Sequence, residues 1–192
     1  MLVLVGCEES QIVTRAFRAR GHVAYSCDLA PTRGRPEWHL QGDVVDAVHS
    51  AKWDLIILHP PCTAMAVSGN GTYAEGKPKH HKRAEAIKWT LDLWEQAKSV
   101  AKYVALENPK SVIFNYIAQV QYIKPEQFGH AQTKITGLAL HRLPFLRATD
   151  NVLGWDDWLH RLPPSPDRAR IRSTTFQGIA NAMAEQWGEL ED

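Results

Sequence analysis

WDLIILHPPCT, residues 53–63, decides the fold. Four consecutive apolar residues, too few for a helix, run straight into two prolines, so the segment reads as a fully buried strand that stops at a rigid corner. The same form recurs on either side. LVLVG (2–6) is a buried strand ending in glycine, HVAYSCDL (22–29) is a second, and YVALENP (103–109) follows the Pro-Pro strand as a fourth. TGLALHRLP (136–144) is a later one. Helical periodicity fills the gaps: Ile12, Val13, Ala16 and Phe17 form a stripe over 10–20, closed by Gly21, and Ile87, Leu91, Trp94 and Val100 form another over 84–102. HLQGDVVD (39–46) leads into a short helix, and 178–187 is a final one. Strands alternating with helices predict an α/β fold, Rossmann-like, with a mainly parallel twisted sheet and helices on both faces. Residues 70–82 are polar and aperiodic and read as a surface loop, and 147–172 reads as irregular. Trp89, Trp94, Trp155, Trp158 and Trp187 read mostly as packing residues.

The length of 192 residues fits one domain, 1–192, and the formal net charge of +1 gives no whole-molecule attraction to a polyanion. Any nucleic-acid contact must come from local clusters, such as Lys77, Lys79, His80, His81, Lys82 and Arg83, or Arg168, Arg170 and Arg172. Three cysteines at unrelated spacings argue against a disulfide framework and point to a reducing, cytoplasmic setting. The apolar opening is too short to span a membrane, no targeting signal is visible, and no His or Cys pair has zinc-site spacing.

In open α/β sheets ligands gather at the carboxyl ends of the strands. There stand Gly6, Cys7, Glu8, Glu9 and Ser10; Asp28; Gly42 and Asp43; Pro60, Pro61 and Cys62; and Glu107, Asn108 and Pro109. Glycine after the first strand and an acid after the second are the means by which such sheets hold a nucleoside; the lesser alternative for Asp28 and Asp43 is helix capping. Adjacent carboxylates at Glu8 and Glu9 repel phosphate, so a cofactor without phosphates fits better. On its own, a thiol after Pro-Pro is more often a packing residue than a nucleophile.

PPCT (60–63) followed by ENP (107–109) resembles the cytosine-C5 methyltransferases, which set a Pro-Cys nucleophile and a Glu-Asn pair around the target base. In the same order, QGDVVD (41–46) is similar to the family's Gly-Asp segment near the cofactor adenine, EQFGHAQTKIT (126–136) to its Tyr-Gly-x-Pro-Gln-x-Arg-x-Arg segment, and QGIANAMAEQ (177–186) to its closing Gly-Asn-Ala-Val helix. Within the family, QFGHAQTK with LALHRLPFL looks most like small phage-encoded DNA cytosine methylases, which would place the protein in a host cytoplasm. The resemblance implies S-adenosylmethionine as methyl donor and a covalent route: Cys62 adds to carbon 6 of cytosine, and the ring then attacks the methyl group through carbon 5. It further implies Glu107 as the acid gripping the base, poised by a raised pKa in a dry pocket, with Asn108 as its support and Lys134 as an auxiliary cation. Gly6, Glu8, Ser10, Asp28, Asp43, Pro61 and Asn181 would line the cofactor side, the acids suiting its sulfonium charge.

Departures from the family pattern bear on the substrate. Lys134 and Thr136 stand where the family has two arginines, the first-strand loop lacks the Phe-x-Gly-x-Gly-Gly run, and the stretch between Lys134 and the last helix has no room for a separate target recognition domain. Phosphate contacts alone position a protein without reading sequence. The expected substrate is therefore DNA methylated with relaxed specificity, DNA in single-stranded form, a free deoxycytidine nucleotide, or a site chosen by a protein partner. From a different class comes a catalytically silent DNA-binding or anti-restriction module on the same fold.

Overall fold

The computed structural model describes residues 1–153, 156 and 158–190. A seven-stranded sheet carries the chain: β1 (Leu2–Gly6), β2 (Val23–Asp28), β3 (His39–Gln41), β4 (Leu55–Leu58), β5 (Tyr103–Pro109), β6 (Val120–Ile123) and β7 (Thr136–His141). Its order is β3-β2-β1-β4-β5-β7-β6. The first five strands are parallel, while β7 enters between β5 and β6 antiparallel to both. The strand order reverses between β1 and β4, and a crevice outside the carboxyl ends of those two strands is where a doubly wound sheet receives its ligand.

Alternation along the strands separates two cores. Val3, Val5, Leu55, Ile57 and Ala105 face α1 (Ile12–Ala19) and α7 (Gln177–Gly188), packing with Phe17, Ile179, Met183 and Trp187. Leu4, Ile56, Leu58, Val104 and Leu106 face α2 (Val44–His49) and α4 (His80–Val100), packing with Val48, Leu93, Trp94 and Ala97. A side chain one step past each strand can therefore be assigned to a face. Gly21 ends α1 at φ +85°, a left-handed position that glycine adopts without strain. Gly6 serves packing, since a Cβ there would lie 2.6 Å from Val44 Cγ2 and force α2 off the sheet.

The α/β expectation holds, with local corrections. β3 and β6 are additional short edge elements. The stretch 70–82 is not a loop throughout: α3 (Asn70–Tyr73) occupies part of it, and α4 begins at His80. The stretch 147–172 contains α5 (Trp158–Arg161) and most of α6 (Arg168–Ser173). Trp94 and Trp187 are core residues, whereas Trp89 and Trp158 are 39% and 42% exposed. Trp155 lies outside the described residues. No helix among the described residues is long and apolar enough to cross a membrane.

Candidate active site

The register of β4 and β5 builds the center of the site. Leu58 pairs with Leu106 across the parallel ladder, so the next residues, His59 and Glu107, stand side by side on the face of α1 and α7. His59 Nδ1 lies 3.2 Å from Glu107 Oε2, and both side chains are only 10% exposed. Burial alone would lower the imidazole pKa, but the hydrogen bond and charge of Glu107 overcome it and hold it above its ordinary value. Burial likewise acts to raise the Glu107 carboxyl, and the same partner, aided by Lys134, brings it below the usual carboxylate range. The expected raised pKa at Glu107 is thus corrected: a charged neighbour outweighs dry surroundings. No short stretch of sequence gives His59 a role, because its partner lies on another strand.

Asn108 points to the opposite face, where its Nδ2 donates to Pro60 O at 2.9 Å and ties the β5 end to the Pro-Pro corner. Beyond that corner Cys62 is half-buried and Pro61 and Thr63 are exposed. Met65 and Ala66 donate their backbone N–H groups to Cys62 O, closing a tight turn. Ala66 also bridges Ser111, while Val67 donates to Lys110 O and Val112 to Met65 O, so the thiol loop and the loop after β5 form one piece. Burial, then the Glu107 charge, raise the Cys62 pKa; Lys134, a backbone hydrogen bond and Arg172 oppose them. Sulfur, carboxylate and cations therefore share one electrostatic field. Lys134, half-buried, donates from Nζ to Arg172 O at 2.8 Å, and Thr136 is buried within β7.

Arg83 is not a phosphate ligand in a loop. It is 7% exposed within α4, with Nε donating to Ala64 O at 2.7 Å, Nη1 to Asn70 Oδ1 at 2.9 Å and Nη2 to Ala66 O at 3.4 Å. A concavity of 530 Å³ lies on that side of the loop, lined by Arg83, Ile87, Leu91, Val112 and Tyr116. Its lining does not include Cys62.

The cofactor-side residues divide. Cys7, at the end of β1 with φ 60°, has its thiol pushed up to about 12 by burial and by the charges of Asp28, Cys27 and Asp43. Both carboxylates thus act on the strand-end crevice, which suits ribose hydroxyls and a sulfonium cation and disfavours phosphate. Asp28 accepts from Ala30 N, and Asp43 caps α2 by accepting from Val45 N. Ser10 Oγ accepts from Ile12 N at 3.4 Å, and Asn181, exposed on α7, accepts from Gln177 Nε2. Glu8 is the correction: 5% exposed, it accepts from Val13 N, Thr14 N and Thr14 Oγ1 and caps the start of α1. Glu9 pairs with Arg33. Glu8→Ala is expected to lower stability by about 1–2 kcal/mol, as loss of a helix cap does; denaturant unfolding measures it.

By sequence, no protein family matches the chain, and no curated protein does. By structure, it is similar to the Entamoeba histolytica methyltransferase EhMeth, with a TM-score of 0.52 and 12% identity over 86% of this chain and 60% of that one. The fold is the Rossmann-like fold of methyltransferases. Looser similarities are to the S. pombe Dnmt2 methyltransferase (TM-score 0.49, 14% identity, 76% of this chain and 50% of that one) and a Spodoptera frugiperda DNMT2 mutant (0.44, 15%, 79% and 54%). The chain thus spans roughly half to three fifths of the length of these proteins.

Proposed function

We propose that this domain transfers a methyl group to C5 of cytosine in DNA through a covalent adduct at Cys62. The observation that carries the reading is that the half-buried Cys62 thiol lies within the electrostatic reach of the buried Glu107 carboxylate, past the ends of adjacent strands and beside the point where the sheet order reverses. Bound at the crevice near Asp28 and Asp43, S-adenosylmethionine supplies an electrophilic methyl carbon. The chain's own residues do the rest. The Pro60–Pro61 corner, tied down by Asn108, fixes where the sulfur stands. Lys134 and Arg172 favour the thiolate as the base arrives, and Glu107 accepts from the exocyclic amine.

DNA specificity is relaxed or set by a partner in this reading. Between β7 and α7 the described residues include two short helices, α5 and α6, and Arg170 on the latter pairs with Asp167. Arginines on so short an element would hold phosphates rather than read bases. Incubating the chain with S-adenosylmethionine labelled in its methyl group and, separately, duplex DNA, single-stranded DNA or dCMP tests the reading. Label recovered as 5-methylcytosine from either DNA is the expected result. Label on dCMP alone moves the substrate to the free nucleotide, and tight DNA binding without transfer identifies a silent binding module.

A further inference from the structure

We propose that His59 and Glu107 act as a dyad that holds one proton between them and gives it to N3 of the target cytosine as the Cys62 sulfur bonds to C6. The proposal rests on the C5-methylation reading and extends it to a residue for which that reading has no role.

The geometry argues for a unit rather than two neighbours. Parallel register fixes both side chains on one face, and Nδ1 meets Oε2 at 3.2 Å. His59 Nε2 is enclosed and has no hydrogen-bond partner, so the ring has no second contact to exchange for this one. An isolated imidazolium or carboxylate in such a place is costly, whereas a pair carrying a single proton is satisfied whichever member holds it. The charges facing it are Glu8 from the turn after β1, Lys134 from the segment before β7, and Cys62 from its own loop, itself influenced by Arg172. Glu8 and Glu107 favour a proton on the imidazole, and Lys134 opposes it.

Attack of the Cys62 thiolate forms the S–C6 bond and pushes the C5=C6 electron pair towards C4, making C4=C5, while the C4=N3 pair moves onto N3. The dyad's proton neutralises that nitrogen and leaves neutral His59 beside ionised Glu107. C5 then bonds to the methyl carbon, the sulfonium leaves as a thioether, and the N3 proton returns to the dyad as C4=N3 is restored. Loss of the C5 proton to water re-forms C5=C6 and expels the thiolate. Each turnover thus requires the dyad to begin with one proton.

Activity should therefore fall as pH rises through the dyad's upper titration. In His59→Gln the proton rests on Glu107 alone, and the alkaline fall should begin at lower pH: kcat about tenfold below wild type near pH 8, with the gap closing near pH 6. Identical pH profiles for His59→Gln and wild type would overturn the dyad. A second measurement needs no turnover. In the full chain with carbon-13-labelled histidine, Glu107→Gln should lower the titration midpoint of the His59 ring, and an unchanged midpoint overturns the proposal. Absence of 5-methylcytosine from wild type would sink the methylation reading, while the ring titration still decides whether the pair shares its proton.

Discussion

Cys62→Ser is expected to reduce methyl transfer by at least about a thousandfold, with S-adenosylmethionine affinity within a few fold of wild type and the unfolding midpoint unchanged. The serine hydroxyl keeps the size of the thiol but remains protonated where a sulfur can ionise, so addition to C6 loses its nucleophile. The fold should tolerate the change. The Cys62 side chain is half-exposed and belongs to neither hydrophobic cluster, and the backbone carbonyl that holds the turn is untouched. The other two thiols supply the contrast: Cys7 is pushed up to about 12 and Cys27 to about 11, each by burial first and by the acids at the ends of β2 and α2, whereas at Cys62, also raised by burial, Lys134 and Arg172 work against the rise. Cys7→Ser should still form a mechanism-trapped adduct with DNA containing 5-fluorocytosine, whereas Cys62→Ser should form none. Mass spectrometry of the complexes reads this directly, and an adduct in the Cys62 variant would sink the covalent route.

What could be read from the residues alone follows from how local each signal is. The buried runs 2–6, 55–58 and 103–109 announce themselves because their neighbours need no partner to explain the apolar content, and the helix over 12–19 is legible from its stripe and its terminal Gly21. β3 and β6 are illegible for the converse reason: at three and four residues, at the two sheet edges and partly exposed, they carry no run and no clean alternation. The start of α4 was hidden by Arg83. Its first turn reads His-His-Lys-Arg, which looks like a solvated loop unless the guanidinium is known to be buried among carbonyls. Glu8 and Glu9 are adjacent in sequence but divided by the turn, one capping a helix and the other pairing with Arg33. The protonation of Glu107 depends on register across two strands, information that no short stretch contains. Acids and a thiol at strand ends were visible; which of them touch was not.

Arg83→Met should cost about 2–4 kcal/mol of stability and at least about tenfold in kcat. Methionine retains an apolar stem, but the carbonyls of Ala64 and Ala66 lose a charged donor and the Asn70 side chain loses its partner. Those carbonyls lie two and four residues after Cys62, in the turn that begins at its own carbonyl. Freed from the guanidinium, the turn would be held on one side only, by its links to Lys110, Ser111 and Val112, and the sulfur would wander from the attack geometry. The affinity for S-adenosylmethionine should be little changed, because Asp28 and Asp43 stand at the ends of other elements. Arg83→Lys, which can make one of the three bonds, should fall between wild type and Arg83→Met in both stability and kcat. A lowered unfolding midpoint with full kcat would mean that the links to the loop after β5 suffice to aim the thiol; parallel loss of both means that the helix holding Arg83 is what keeps Cys62 in place.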